Sequence, residues 1–174
     1  FARFDEILVH RGGILEKIIG DGILAIFPAE GLPGEALQAV IVSAVASGFE
    51  LIRAYRDLWN RTAVSRQVES GFRVGLAFGD VIRGNVGSAR RRDFTVIGQT
   101  VNLAKRLETQ APVNHLMFDD SIYRRLPNPE IAVPVGRVSL KGIPDPVPAY
   151  QAAPSDVSRQ APPRPPARKA ADGT

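Results

Sequence analysis

A short segment near the amino terminus places an acidic residue at a tight turn between two apolar stretches. Asp21 lies between Gly20 and Gly22, and the turn is flanked by 14–19 and 23–27. Glycine lets the backbone turn sharply and lets a ligand come close, and a carboxylate at such a turn suits Mg²⁺, which prefers oxygen ligands. Aspartate is also common in ordinary hairpin turns, so this segment alone favours the simpler explanation.

Lys17 interrupts the apolar stretch before that turn, four residues ahead of Asp21. A lysine on a half-exposed strand is usually only solvated, so it indicates little by itself.

Polar residues recur on one face of a predicted helix over 99–109. Asn102 and Arg106 are four positions apart, and residues at that spacing share a helical face. Asparagine offers a donor and an acceptor for a ribose, and arginine offers a fork of donors for a phosphate. For a helix considered alone, a solvent-facing polar stripe explains the pattern more simply.

Two further segments have residues that suit phosphate. The stretch 84–92 combines glycines with Arg90, Arg91 and Arg92, and we expect a loop whose N–H and guanidinium groups face anionic oxygens. It lacks the Gly-Lys-Ser/Thr of a Walker A loop. Lys141 precedes a turn glycine at the end of a predicted strand. Solvated loops have similar compositions, so neither segment decides the function alone.

The elements that must position these residues interleave strands and helices. Helical spacing of apolar residues predicts helices over 1–10, 35–59 and 99–109, and a short one over 119–126. β-branched runs predict a hairpin over 14–27 and strands over 72–81, 94–97, 115–118, 133–140 and 147–151. This order predicts an α/β fold of the α+β sandwich type, in which helices cover one face of a mostly antiparallel sheet.

The domain is expected to span residues 1–151. From Ala152 onward the chain is rich in proline, alanine and arginine and has no periodicity, so we expect residues 152–174 to form a disordered tail.

Composition narrows the class of protein further. The chain has 174 residues, of which 44% are hydrophobic and 23% charged, which is ordinary for a globular domain. It has no cysteine, which excludes a thiolate metal site and a cysteine nucleophile and suits a reducing cytoplasm. We see no signal peptide and no apolar run long enough to span a bilayer.

The net charge of +4 gives little support for nucleic-acid binding. The stretch from Ala152 contains four basic and two acidic residues, so half of the net charge lies in the tail. Aromatic residues make up only 7% of the chain, and no recognition motif is evident.

Taken in order, these segments resemble the class III adenylate/guanylate cyclase catalytic domain over residues 1–151. The most specific block is Thr-Val-Ile-Gly-Gln-Thr-Val-Asn-Leu-Ala-Lys-Arg-Leu-Glu, from Thr95 to Glu108. The other matching segments are Gly12-Gly13, Lys17 to Gly22, Arg73 to Gly75, Gly84 to Ser88, and Leu140 to Gly142.

The resemblance implies a ferredoxin-like cyclase fold and an adenylate cyclase. Such an enzyme converts ATP to 3′,5′-cyclic AMP and pyrophosphate in cyclic-nucleotide signalling. The 3′-hydroxyl attacks the α-phosphate with the help of two divalent metal ions, Mg²⁺ or Mn²⁺. The resemblance also implies a homodimer with its sites at the interface, and no nucleic acid as a partner.

The same resemblance implies a role for each candidate residue. Asp21 is similar to the second of two metal-binding aspartates. Lys17 and Thr95 are similar to the pair that selects adenine. Asn102 resembles the residue that orients the ribose, and Arg106 the residue that stabilises charge on the α-phosphate. Lys141 resembles a triphosphate contact, and Arg91, or alternatively Arg90, a pyrophosphate contact.

The match departs from the family at its beginning. The family's first strand, which contains the other metal aspartate, and the helix after it are missing, since Phe1 falls within what resembles that helix. We therefore expect residues 1–174 alone to have little or no cyclase activity and a full-length parent, with any upstream sensor or membrane anchor, to be active.

Other functions stay open at this point. One is a catalytically inactive cyclase-like module for dimerisation or regulation, and another is a guanylate cyclase. A diguanylate cyclase is disfavoured because Ile23 stands after Gly20-Asp21-Gly22 where that family has a second acidic residue and a phenylalanine.

Overall fold

A four-stranded sheet lies at the centre of the fold. The structure is a computed structural model that describes residues 1–62, 70–88 and 91–155, with the backbone alone for 86–88 and 91–93. In chain order the elements are α1 (Ala2–His10), β1 (Ile14–Ile19), β2 (Gly22–Ile26), α2 (Gly34–Asn60), β3 (Val74–Leu76), β4 (Ile82–Ser88), β5 (Arg91–Ile97), α3 (Gln99–Gln110), β6 (Leu116–Asp119), α4 (Asp120–Tyr123), a 3₁₀ turn (Pro129–Ile131), β7 (Val133–Val138) and β8 (Val147–Ala152).

The strand order of the central sheet is β3-β6-β8-β7. β3 and β6 run parallel, and the other two pairings are antiparallel. Two further antiparallel ladders, β1 with β2 and β4 with β5, lie outside this sheet. The mostly antiparallel α/β architecture is therefore confirmed.

Helices cover both faces of the central sheet, so the expectation of helices on one face is wrong. Leu116 and Phe118 of β6 pack in the cluster that contains Ile41, Val45 and Ile52 of α2. Between them in sequence, Met117 packs in a different cluster with Leu107 of α3. Successive strand residues point to opposite faces, so α2 and α3 lie on opposite sides.

The amino-terminal helix joins the β1–β2 ladder to α2. Phe4, Ile7 and Leu8 of α1 are buried in one cluster with Leu51 of α2. The helix ends at the predicted place, and a side-chain carbon on Gly13 would lie 2.6 Å from the ring of Phe27. A side chain at Gly13 would therefore require the Phe27 ring to move.

The predicted strand over 72–81 is much shorter, since only Val74–Leu76 pairs with another strand. Beyond it the Thr100 hydroxyl donates a hydrogen bond of 2.8 Å to the Asp80 carbonyl. A residue remote in sequence thus binds this segment, which leaves the sheet and leads into β4.

The expected loop over 84–92 is largely a β-hairpin. β4 and β5 pair without interruption from Ile82 opposite Ile97 to Ser88 opposite Arg91. Glycine and arginine suggested a loop, but the ladder uses only backbone groups, which glycine supplies as well as any residue. Residues 89–90 lie outside the described part.

By length and composition alone, α2 could cross a membrane. This differs from the expectation that no apolar run reaches that length. The apolar face of α2, however, packs in the protein core against β6.

The carboxyl-terminal boundary after residue 151 stays a prediction. β8 includes Ala152, and Pro154 is fully buried. The predicted disorder of the tail concerns mainly residues 156–174, which lie outside the described residues.

Candidate functional site

The β1–β2 hairpin holds two of the predicted site residues. Its loop consists of Gly20, with a φ of +63°, and Asp21, because Ile19 pairs with Gly22. The side chains of Lys17 in β1 and Asp21 at the turn are both exposed. Both residues are therefore accessible to a ligand, as their predicted roles require.

An irregularity in β1 lies directly beside Lys17. Leu15 pairs with Ala25 and Lys17 with Leu24, so Glu16 is an extra residue in the ladder. Such a bulge bends the strand and re-aims the neighbouring side chains. The exposed positions of β1 are those from Lys17 onward, whereas Ile14 and Leu15 are half-buried and the side chain of Glu16 is buried.

Thr95 lies on the strand that contacts β1. It is half-buried in β5, opposite Gly84 of β4, and β1 packs against β5. The two ladders are also joined by an ion pair between Glu16 and Arg83. The structure thus brings the strands of Lys17 and Thr95 into contact although 78 positions separate the two residues.

Helix α3 follows β5 through Gly98 alone. This glycine has a φ of +152°, which side-chain-bearing residues rarely adopt. Its carbonyl accepts a hydrogen bond of 3.3 Å from the Asn102 amide. In α3, Asn102 is exposed and Arg106 is half-buried. Gly98 therefore connects the strand of Thr95 directly to the helix of these two residues.

The turn that contains Lys141 is anchored to the same helix. Lys141 is exposed, Gly142 has a φ of +80°, and the Ile143 amide donates a hydrogen bond of 3.0 Å to the Leu140 carbonyl. Leu140 is buried in one cluster with Leu107 of α3. The neighbours of Lys141 and Arg106 in sequence therefore share one core.

Asp21 faces a different part of the molecule. It lines a cavity of about 600 Å³ next to α1 and α2, together with Phe4, Tyr55 and Phe72. Neither Thr95, Asn102, Arg106 nor Lys141 lines that cavity. Asp21 therefore shares this cavity with none of these four residues, although it lies on the same hairpin as Lys17.

The described residues do not by themselves make a two-metal site. Asp21 supplies one carboxylate, whereas Mg²⁺ is held by one or two carboxylates and completes its shell with water and substrate phosphates. Over 1–62, 70–88 and 91–155, no three acidic, histidine or cysteine side chains gather in a group that could hold a metal. Asp21 fits one ligand position only.

An ion pair lies at the rim of the same cavity. The Arg11 guanidinium donates a hydrogen bond to the Glu50 carboxylate, and about a third of each side chain is exposed. This hydrogen bond is the main reason that the pKa of Glu50 lies below its ordinary value. The pair also ties the residue after α1 to α2.

The family of the chain is shown by its match to known sequences. Residues 1–153 match the model of the adenylate and guanylate cyclase catalytic domain. The chain belongs to this cyclase family. An adenylate cyclase from Anabaena cylindrica is 32% identical over 123 residues, which is 70% of this chain and 24% of that protein. The aggregation-specific adenylate cyclase of Dictyostelium discoideum is 35% identical over 130 residues, 72% of this chain and 8% of that protein.

The cyclase domain thus spans less than a third of each of these curated relatives. Solved structures share its fold. The adenylyl cyclase CyaB from P. aeruginosa has a TM-score of 0.68 at 23% identity, over 88% of this chain and 78% of that one. The guanylyl cyclase Cya2 has a TM-score of 0.70 at 25% identity, over 89% and 78%. The similar structures therefore include both an adenylyl cyclase and a guanylyl cyclase.

Arg91 and Arg90, predicted to contact pyrophosphate, are adjacent in the sequence. Arg91 is the first residue of β5, opposite Ser88 at the end of the β4–β5 hairpin, and its side chain lies outside the described part, as does all of Arg90. Their predicted contact with pyrophosphate stays a prediction.

Sequence reasoning missed Glu16 and Arg83, which join the two hairpins of this cyclase domain. A charged glutamate inside the apolar stretch before Lys17 is the signal in the sequence that could have indicated Glu16. Nothing in the local pattern named its partner, which lies 67 positions away.

Proposed function

We propose that the protein containing this cyclase domain converts ATP to 3′,5′-cyclic AMP and pyrophosphate. The observation that supports ATP is the placement of Lys17 and Thr95 on contacting strands, β1 and β5. A lysine donates to the N1 acceptor of adenine, and a threonine hydroxyl accepts from the exocyclic amine. Guanine presents the opposite donor and acceptor pattern at these positions.

The proposed reaction is an intramolecular phosphoryl transfer. The ribose 3′-hydroxyl loses its proton to water and attacks the α-phosphate, a new phosphorus–oxygen bond closes the ring, and the bond to the leaving pyrophosphate breaks. Asn102 orients the ribose, and Arg106 stabilises the charge that develops on the α-phosphate. Lys141 and Arg91 hold the departing phosphates.

We further propose a homodimer in which Asp21 of one copy serves the nucleotide held by Lys17, Thr95, Asn102 and Arg106 of the other. This arrangement agrees with the position of Asp21 on a cavity that Thr95, Asn102 and Arg106 do not line. Large apolar side chains are also exposed on β1, β4 and β5, and such patches are typical of protein interfaces. They are Ile18, Ile19, Ile82, Phe94 and Ile97.

Divalent metal ions belong to the proposal. Asp21 would hold Mg²⁺ or Mn²⁺, which supplies electrostatic stabilisation of the phosphates. The second carboxylate is expected from the strand that opens the family's domain. The absence of cysteine supports a cytoplasmic location for the domain.

The test measures cyclic AMP and cyclic GMP formed from ATP and GTP by the natural polypeptide that contains this sequence. We expect a preference for ATP, and we expect Lys17→Glu to lower the ratio of kcat/KM for ATP to that for GTP by about 10- to 100-fold, because it removes a donor to adenine and adds an acceptor. Lys105→Ala is the control, because Lys105 is exposed on α3 and paired with Glu108.

Two outcomes would contradict the proposal. A preference for GTP in the unaltered protein would make it a guanylate cyclase. No cyclic nucleotide from either substrate, with Mg²⁺ or with Mn²⁺, would favour the inactive regulatory module.

A further inference from the structure

The carboxylate of Glu16 is buried although β1 lies near the surface. Only 2% of its side chain is exposed. Its Oε2 accepts a hydrogen bond of 3.2 Å from Nε of Arg83 and lies 3.1 Å from Nη2 in the same ion pair. Its Oε1 is buried without a hydrogen-bond partner among the described residues. Arg83 therefore compensates this charge from the facing hairpin.

Arg83 is itself held in place from a second side. Its guanidinium lies over the ring of Phe94, 5.1 Å from the centroid. A guanidinium that stacks on an aromatic face and binds a carboxylate at its edge has little freedom to move. Its side chain is 42% exposed, so the pair lies at the boundary between the two hairpins and solvent.

Both partners are next to the residues proposed to recognise the base. Glu16 precedes Lys17, and it is the extra residue of the bulge in β1. Arg83 precedes Gly84, which pairs with Thr95, and Phe94 precedes Thr95. The ion pair thus joins the backbone beside Lys17 to the backbone on both sides of Thr95.

We propose that Glu16 and Arg83 are positioning residues that set the distance between Lys17 and Thr95 and thereby the selection of the base. This inference rests on the proposed function, because it assigns the pair's effect to the base subsite. β1–β2 and β4–β5 are separate ladders without backbone hydrogen bonds between them, so side-chain contacts must set their spacing.

The phosphate subsite depends on other contacts. Arg106 and Lys141 lie beside the cluster of Leu107 and Leu140, which contains no residue of β1 or β4. Loss of the Glu16–Arg83 pair should therefore weaken recognition of the base and leave recognition of phosphates intact. A role in stability alone would not separate the two subsites.

The experiment uses Glu16→Gln, Arg83→Gln and the double variant in the natural polypeptide. Glu16→Gln keeps the shape and leaves Arg83 able to reach solvent, whereas Arg83→Gln leaves a buried carboxylate unpaired and is the variant at risk of not folding. Three quantities are measured for each folded variant: kcat/KM for ATP, kcat/KM for GTP, and inhibition by inorganic tripolyphosphate, which has no base.

We expect Glu16→Gln to lower the ATP-to-GTP ratio of kcat/KM about 10-fold, since a misplacement of the order of 1 Å costs up to about 100-fold in rate. Tripolyphosphate inhibition should not change. The double variant should be no worse than the more severe single variant, because the two changes remove one interaction. Glu6→Gln, which breaks the exposed Arg3–Glu6 pair on α1, is the matched control and should leave all three quantities unchanged.

Other results overturn the proposal in distinguishable ways. If Lys17→Glu lowers the ratio and Glu16→Gln does not, the proposed function stands and the positioning role is wrong. If Lys17→Glu itself leaves the ratio unchanged, the proposed function fails and this inference fails with it. A parallel loss of ATP turnover and tripolyphosphate inhibition in Glu16→Gln would show a merely structural role.

Discussion

Gly75 of β3 lies directly against the backbone of Ala104 in α3. A side-chain carbon on Gly75 would be 2.0 Å from the Ala104 carbonyl oxygen and 2.4 Å from the Glu108 amide nitrogen. Ala104 lies between Asn102 and Arg106 in the same helix. The closeness of this contact therefore determines how far these two side chains stand from the central sheet.

Substitution of Gly75 by alanine should lower the free energy of unfolding by about 1–3 kcal/mol, because α3 must move to admit a methyl group. Gly84→Ala is the control, since a side-chain carbon there meets no atom within 4 Å. Chemical denaturation of both variants checks the prediction. An unfolding midpoint for Gly75→Ala equal to that of Gly84→Ala would mean that α3 does not pack this closely.

Arg106→Ala should lower kcat by about 100- to 1000-fold, the usual effect of removing a group that stabilises transition-state charge. The KM for ATP should change much less, because the proposed contact strengthens only as the α-phosphate reacts. Steady-state kinetics of the natural polypeptide measures both constants. The control is Lys105→Ala, at the residue before Arg106 in α3, which should retain the parental kcat. If Arg106→Ala instead changed KM and left kcat unchanged, Arg106 would belong to ground-state binding.

Asp21→Asn and Asn102→Ala should each be nearly inactive alone and should restore activity when mixed. If Asp21 serves the partner's nucleotide, a mixed dimer keeps one site that lacks neither residue. Random exchange in an equal mixture should then recover about a quarter of the parental activity. The rate of cyclic AMP formation after subunit exchange is the measurement. Recovery should be absent when two Asp21→Asn samples are mixed, and its absence in the test mixture would place both residues in one copy's site.

The Arg11–Glu50 pair should make stability sensitive to acid. The pKa of Glu50 lies below its ordinary value of 4.5, mainly because Arg11 donates a hydrogen bond to the carboxylate. A lowered folded-state pKa contributes stability above the ordinary value, and that contribution is lost as the pH falls through the lower folded value. Because a third of each side chain is exposed, we expect a contribution below about 1 kcal/mol.

Glu50→Gln should therefore lower the free energy of unfolding at neutral pH and have a smaller effect in acid. Urea denaturation at neutral pH and at a pH below 4.5 measures the difference. Glu6→Gln, at an ion pair whose two side chains are largely exposed, should have almost no effect at either pH. An equal loss for Glu50→Gln at both pH values would assign its role to packing.

Local patterns in the sequence determined much of the fold. The apolar spacing of α1, α2 and α3 and the glycine turn of the β1–β2 hairpin depend on neighbours within a few residues, so their type and approximate ends could be predicted. The same holds for the shared helical face of Asn102 and Arg106, since the spacing alone decides it.

Pairings between distant segments could not be predicted in the same way. The run 72–81 has the composition of a strand along its whole length, yet only Val74–Leu76 pairs with β6, and Asp80 instead accepts a hydrogen bond from the distant Thr100. The segment 84–92 looks like a loop because side-chain composition says little about backbone ladders, which form β4 and β5.

The sequence by itself therefore determined the family, the residue types available for nucleotide chemistry and their order along the chain, because those are local and linear properties. Only the tertiary structure decided that β1 meets β5, that Asp21 lines a cavity that Arg106 does not line, and that a buried glutamate joins the two hairpins beside Lys17 and Thr95. Charge burial and close backbone contact depend on which distant residue fills the adjacent space, and no local pattern contains that information.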